Sequence, residues 1–237
     1  MSVRTKLNLW KKNRTEQEEL ERSGRMFAAY NQRGLLIVIS GPSGAGKGTV
    51  IKSLYSINSR INILPSVTTR SPRSGEKEGY SYFFRTKDEF LEMVKKNKLI
   101  EWVEYCGNFY GTPREQLENS LEEGLDVILE KEVDCALKIK KAYPDSVIIF
   151  IAPPSLKELK RRIESRGTES ADVIEKRLNR ALEELEYISD YDYVIVNNSV
   201  DETANAINSI IKAEKLKTKR NNDILRYFEK NKSDEVK

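Results

Sequence analysis

The run Gly41-Pro42-Ser43-Gly44-Ala45-Gly46-Lys47-Gly48-Thr49 combines small residues with a lysine and two hydroxyls. Glycines let a backbone turn tightly around an anion with no Cβ in the way. The N–H groups of such a turn, and the positive end of a helix that follows it, point at phosphate. Lys47 can put a full charge on β- and γ-phosphates, and Thr49 or Ser43 can supply a hydroxyl near Mg²⁺. The alternative is a glycine-rich turn with a chance lysine, and the flanks argue against it. Leu35-Leu36-Ile37-Val38-Ile39 precedes the run as an apolar stretch of strand length. Val50-Ile51-Lys52-Ser53-Leu54-Tyr55 follows and can continue as a helix. Strand, glycine loop and helix are the context that a phosphate-binding loop requires. Residues 41–49 are therefore expected to bind the phosphates of ATP.

A second constellation lies further along. Thr68-Thr69-Arg70-Ser71-Pro72-Arg73 carries two guanidinium groups three residues apart on a segment stiffened by Pro72. Two arginines can hold one phosphate dianion by bidentate bonds, and Tyr82 and Tyr110 can donate hydroxyls to the same anion. Glu101 stands between Ile100 and Trp102, where its carboxylate can accept from two adjacent N–H donors of a purine edge. Thr112 can donate to a carbonyl oxygen. Each residue also has a structural reading. Arg70 and Arg73 can pair with Glu76 and Glu78, and Glu101 can face solvent on an edge strand. Thr112-Pro113-Arg114-Glu115 is also a helix start, with Thr112 as N-cap, Pro113 first in the helix and Glu115 closing a capping box.

A third group is basic. Arg162 and Arg166 are four apart and would share a helix face, and Arg177 lies in the next helix. Glu158, Glu164 and Glu175 offer them ordinary salt-bridge partners.

These groups need strands and helices to position them. The strand candidates are Leu35–Ile39, Leu125–Leu129, Val147–Ala152 and Tyr193–Val196, mostly apolar as expected for strands covered on both faces. Ser155-Leu156-Lys157-Glu158 opens a helix of about 155–165 with a capping-box pattern. Ile174, Leu178, Leu182, Leu185 and Ile188 have the spacing of a helix over about 172–189. Alternating strands and helices imply a parallel sheet with right-handed crossovers and ligands at the strands' carboxyl ends. Residues 65–124 differ. Tyr80–Phe84 and Ile100–Glu104 read as strands with a polar face, and Thr86-Lys87-Asp88-Glu89 caps a short helix between them, as in an inserted subdomain of mixed pairing.

The composition narrows the classes. The chain has 237 residues, 38% hydrophobic and 33% charged, and its formal net charge is only +4. Both signs are spread along it, as on a solvated mixed surface, so nucleic acid is not an expected partner. The longest apolar runs are too short to cross a bilayer, so a membrane is not expected either. Cys106 and Cys135, with no signal-peptide pattern at the start, fit a reducing cytoplasm. Histidine is absent, which removes triads, His-ligated zinc and a histidine base. Phosphoryl transfer survives that loss, because it works mainly by positioning and charge neutralisation.

Taken together, these residues resemble guanylate kinase, and Gly48-Thr49 resembles the loop variant of the nucleoside monophosphate kinases. The similarity covers about residues 34–210. Its matching segments are Gly41–Thr49, Ser66–Glu76, Gly79–Phe84, Ile100–Trp102, Gly107–Thr112 and Arg166–Glu169. The resemblance implies an α/β fold: a P-loop NTPase core with a parallel sheet flanked by helices, an inserted mixed α/β GMP-binding subdomain and a short helical lid. The expected boundaries are a polar extension at 1–33, a core at 34–64 and 125–212 with the lid near 160–177, the insert at 65–124 and a charged tail at 213–237.

The implied activity is ATP-dependent phosphorylation of GMP to GDP with Mg²⁺, without a covalent enzyme intermediate. In that family the residues matching Arg70, Arg73, Tyr82 and Tyr110 hold the GMP phosphate, and those matching Ser66, Glu101 and Thr112 read guanine. Lid arginines matching Arg162, Arg166 and Arg177 close on the ATP phosphates. Lys47, Arg70, Arg166 and Arg177 are thus the expected catalytic residues. Thr49 and, through water, Glu130 are the expected metal contacts, and Glu132 is an expected base contact. The sequence departs from the family at Glu130-Lys131-Glu132, where two aspartates usually flank an apolar residue, and at Asp134-Cys135, where a Gln-Gly pair is usual. Two other classes compete: a guanylate-kinase-like binding module and a small-molecule kinase with a changed acceptor. The intact glycine loop weighs against the first, and Glu101 with Thr112 weighs against the second.

Overall fold

The computed structural model describes residues 33–165 and 171–221. Two compact units emerge, residues 33–214 and residues 1–32 with 215–237. Of the second, the described part is a short 3₁₀ turn at Thr218–Arg220, closed by Asn221 Nδ2 donating to the carbonyls of Lys215 (2.7 Å) and Lys217 (2.9 Å). The polar extension and most of the charged tail lie outside the described residues.

The larger unit is built on five parallel strands. These are β1 (Leu36–Ser40), β2 (Ile61–Ile63), β7 (Asp126–Glu130), β8 (Val147–Ala152) and β9 (Tyr193–Val196), in the order β2-β7-β1-β8-β9. Alternate side chains of a strand point to opposite faces, and both faces are covered here. Leu35, Ile37 and Ile39 pack with Val50 and Leu54 of α1 (Lys47–Ile57) and with Ala204, Ile207 and Ile211 of α7 (Val200–Lys215). Leu36 and Val38 pack on the other face with Leu117 and Leu121 of α3 (Arg114–Glu122) and Ala136 and Ile139 of α4 (Val133–Ala142). This two-sided burial explains why β1 reads as an unbroken apolar run.

Residues 67–113 carry a second sheet with the order β4-β3-β6-β5, made from β3 (Val67–Thr68), β4 (Phe83–Phe84), β5 (Leu99–Tyr105) and β6 (Asn108–Pro113). Its pairing is mixed as expected: β3 lies parallel to β4 and antiparallel to β6. The helix α2 (Lys87–Lys95) has the complete capping box read from Thr86 and Glu89. Phe90 of α2 is fully buried and stacks on Phe109 at 5.4 Å between ring centroids, while Trp102 meets both rings edge-on.

Several local expectations change. The Tyr80–Phe84 strand shrinks to Phe83–Phe84, because Tyr80 and Ser81 form a turn whose N–H groups both donate to the Lys77 carbonyl. Thr112 is not an N-cap. Pro113 occupies that place without a side-chain bond and α3 begins at Arg114, because the Thr112 hydroxyl is engaged elsewhere. The helix expected at 155–165 is α5 (Leu156–Glu164), with Ser155 accepting from the Glu158 N–H. The helix expected at 172–189 is α6 (Ala171–Leu185); the N–H groups of Glu186 and Tyr187 then bond three residues back, tightening the chain out of the α-helix. The strands β2, β3 and β6 and the helices α4 and α7 were not anticipated.

Replacing Phe90 with alanine removes the stacking partner at the centre of the second sheet's small core. The expected outcome is a loss of about 3–5 kcal/mol, read as a lower urea midpoint.

Candidate active site

The glycine loop leaves the sheet at the carboxyl end of its central strand. Gly41 (φ 133°), Gly44 (96°) and Gly46 (96°) take left-handed backbone angles. At Gly41 a Cβ would also stand 2.2 Å from the Ile151 carbonyl oxygen, so both conformation and space demand glycine. The Lys47 ammonium spans the loop and donates to the carbonyls of Gly41 (2.5 Å) and Pro42 (3.2 Å). A cavity of about 310 Å³ opens here, lined by Ser43, Gly44, Gly46, Lys47, Gly48 and Thr49, with Lys52 and Glu130.

Asn197 was missed in the sequence, yet it braces this loop. It is buried, its Nδ2 donates to the Ala45 carbonyl (2.7 Å), and its Oδ1 accepts from the Thr203 hydroxyl (3.1 Å). A Cβ at Gly46 would fall 2.5 Å from that Nδ2. Arg162 serves the same corner. It pairs with Glu158 (2.8 Å) and donates to the carbonyls of Ala45 (3.3 Å) and Asn197 (3.2 Å). Arg161 and Arg162 together pull the Glu158 carboxyl down to a pKa of about 2.

The neighbouring strand β7 ends beside the loop, with Ile39 in register with Glu130 and the Lys131 N–H donating to the Ile39 carbonyl. Glu130 therefore lines the phosphate-loop cavity on one side. On the other, Glu130, Lys131 and Glu132 border a larger cavity of about 680 Å³ that also takes in Ser43, Ser66, Tyr82, Glu101, Tyr110 and Arg177.

Glu101 is the decisive residue in this cavity. The alternative of a solvent-facing carboxylate is wrong, since Glu101 is only 6% exposed. The reason lies in the register of β5 and β6. Leu99 pairs with Pro113 and Trp102 with Gly111, so Ile100 and Glu101 together oppose Thr112. Such a bulge re-aims a side chain. Glu101 Oε1 accepts from the Thr112 hydroxyl (2.7 Å) and from the Lys131 ammonium (2.8 Å). Glu101 Oε2 is buried with no hydrogen-bond partner among the described residues. Burial, and next the Glu101 charge, push the Cys135 thiol up to about 12, so this thiol stays protonated at neutral pH. Cys106 is exposed, and both cysteines are free.

The arginine pair divides. Arg70 binds the Glu76 carboxylate with two bonds of 2.7 and 2.9 Å and lies 5.3 Å from the Tyr82 ring centre, while Tyr82 meets Tyr110 at 6.1 Å. The bond from Arg70, and next the Arg73 N–H, hold the Glu76 carboxyl below its ordinary value. Arg70, Tyr82 and Tyr110 thus form one group. Arg73 is exposed and joins it through its backbone N–H on Glu76 (2.8 Å). On α6, Arg177 and Glu184 border the large cavity together with Arg180, which the sequence reading did not single out. Burial and the charge of Glu132 raise the Glu184 carboxyl, opposed by Arg180 and Lys47. Arg166 lies outside the described residues.

A phosphate loop on the central strand, and a second polar cavity lined by the core, the second sheet and the arginines of α6, define the chain as a P-loop nucleoside monophosphate kinase. The family model "Guanylate kinase" matches residues 33–214. The chain is 51% identical to the guanylate kinase of Bacillus subtilis (strain 168) over 190 residues, which is 80% of this chain and 93% of that protein. It is 52% identical to that of Bacillus anthracis over 191 residues, with 80% and 93% covered. The crystal structure of guanylate kinase from Anaplasma phagocytophilum superimposes with a TM-score of 0.68 at 36% identity, covering 84% of this chain and 95% of that one. The chain belongs to the guanylate kinase family.

Asn197→Ala should leave the buried Thr203 hydroxyl without its Asn197 partner and the Ala45 carbonyl with only the longer bond from Arg162. We expect a stability loss of about 1–3 kcal/mol. Calorimetry should show weaker ATP binding while GMP binding is kept.

Proposed function

We propose that this chain transfers the γ-phosphoryl group of ATP to the phosphate of GMP, giving ADP and GDP. The observation that carries the guanine assignment is Glu101, a buried carboxylate that lines a nucleotide-sized cavity and whose Oε2 has no hydrogen-bond partner among the described residues. Guanine offers N1–H and N2–H side by side, which suit this oxygen and Glu132 nearby. Adenine has an acceptor at N1 and no amine at C2, so AMP would leave the carboxylate unpaired, a mismatch worth up to about 10⁴-fold in discrimination. Thr112 spends its one proton on Glu101, so in this reading it orients the reader, and Ser66 keeps a hydroxyl for the base.

Arg70 and Arg73 grip the GMP phosphate, with the hydroxyls of Tyr82 and Tyr110. Glu76 keeps Arg70 aimed until the phosphate arrives. The glycine loop binds the β- and γ-phosphates through its N–H groups, and Lys47 exchanges its carbonyl partners for phosphate oxygens. An acceptor oxygen of GMP attacks the γ-phosphorus in line as the bond to the ADP oxygen breaks. Lys47, Arg70 and Arg177, with Arg166, carry the charge that spreads over the transferring group. Arg162 supports the loop from below and reaches ATP through it. Closure of the insert and the flap excludes water, the competing acceptor.

Mg²⁺ fits the donors present. The Thr49 hydroxyl and Glu130 carboxylate share the smaller cavity, and the missing side chain of Gly48 keeps the approach to Glu130 open, since a Cβ there would stand 3.6 Å from Glu130 Oε2. Among the described residues no cluster of three or more acidic or sulfur ligands could cage a metal. That accords with an ion held mainly by water and substrate phosphates. When bound, Mg²⁺ would neutralise charge on the β- and γ-oxygens.

The test is ADP release from ATP with GMP, AMP, CMP and UMP in parallel, with and without EDTA. GMP-selective, EDTA-sensitive turnover is expected; equal release with all four acceptors would refute the reading. Lys47→Ala should abolish transfer and leave GMP binding by calorimetry nearly unchanged. Glu101→Gln should lower the GMP-to-AMP ratio of kcat/KM by at least about tenfold, and an unchanged ratio would remove Glu101 as the guanine reader.

A further inference from the structure

Lys131 stands where the family pattern has an apolar residue, and its ammonium lies inside the base pocket. Its side chain is only 10% exposed and that of Glu101 only 2%, and their ion pair measures 2.8 Å. The same ammonium donates to the Ser66 hydroxyl at 3.2 Å. A buried ion pair is a poor source of stability, because desolvating two charges costs about as much as their attraction returns. An apolar side chain would pack this position at less cost, so stability alone does not account for the lysine.

The donors and acceptors suggest another role. An ammonium has three N–H donors. Glu101 takes one and Ser66 another, and the third has no hydrogen-bond partner among the described residues. Lys131 and Glu101 both line the large cavity. Side by side they set a buried carboxylate, whose Oε2 has no hydrogen-bond partner among the described residues, next to an ammonium with one donor left. The Watson–Crick edge of guanine presents the complement in the same order: two N–H donors at N2 and N1, then the acceptor O6. Adenine reverses both positions, setting the N1 lone pair against the carboxylate and the N6 amine against the ammonium. The Thr112 hydroxyl is committed to Glu101 and cannot donate to O6 at the same time.

We infer that Lys131 is a specificity-determining residue that donates to the 6-oxo group of the acceptor purine, completing with Glu101 and Glu132 a charged three-point match to guanine. This rests on the reading of the Glu101 cavity as the GMP base site. A bond to a charged donor in a desolvated pocket is worth roughly 10- to 100-fold when its acceptor is lost.

The experiment compares kcat/KM for GMP and 6-thio-GMP, which keeps N1–H and the 2-amine but replaces O6 by sulfur, a weak acceptor. The wild-type chain should prefer GMP by at least about tenfold. Lys131→Met should lower that ratio about tenfold, mainly by slowing GMP. Lys131→Gln, which restores a neutral donor, should give a ratio between the two. If Lys131→Met slows GMP and 6-thio-GMP equally, the lysine only buttresses Glu101 and the proposal falls. It falls too if the wild-type ratio is near one, which needs no variant to fold. Thermal melts of both variants separate misfolding from altered reading, and Lys131→Gln decides the matter if Lys131→Met does not fold. Failure of the underlying reading looks different: the wild type would then show no preference for GMP over AMP, and both conclusions would be lost.

Discussion

The chain leaves its central strand through a turn that only glycine can follow. At Gly41 the next strand's carbonyl occupies the space of a side chain, and the left-handed angle excludes one anyway. Much of the molecule serves to hold that turn. Asn197 and Arg162 clamp the Ala45 carbonyl from below, and Leu159 and Ile163 of α5 lie against Gly44. The sheet sets the position, since five parallel strands put all their carboxyl ends on one edge. Lys47, past the end of β1, and Glu130, at the end of β7, therefore line one cavity although the whole second sheet lies between them in the chain.

The second sheet solves a different problem. A carboxylate that reads a base must be out of water to discriminate, yet an unpaired buried charge is costly. The bulge in β5 turns Glu101 inward, and Thr112 and Lys131 compensate one of its oxygens. The other oxygen has no hydrogen-bond partner among the described residues, and in the proposed reading guanine supplies one. The same device accounts for the unused capping position at Thr112: its hydroxyl is more useful inside the pocket than at the start of α3.

The group proposed to grip the GMP phosphate is assembled before any phosphate is present. Glu76 occupies Arg70 by accepting from its Nη2 with both carboxylate oxygens, and the Tyr82 ring lies against the guanidinium. This arrangement combines both readings of the arginines in the sequence. Arg70 is in a salt bridge, and that salt bridge holds it ready.

The sequence by itself determined the glycine loop, its lysine, the buried strands and the helix caps at Thr86 and Ser155. All of these are local: their signals lie within a few residues, in φ preferences, hydrophobic period and side-chain-to-backbone bonds. Resemblance to a family added the roles of Ser66 and Glu132, which no local pattern carries. Only the tertiary structure decided which charges meet. The sequence gives no sign that Lys131 reaches Glu101, thirty positions earlier, or that Asn197 supports a loop that precedes it by some 150 residues. Nor does it reveal the Glu101 bulge, because a register shift depends on the partner strand rather than on the strand's own residues. Such contacts are set by sheet order and register, which link positions far apart in the chain.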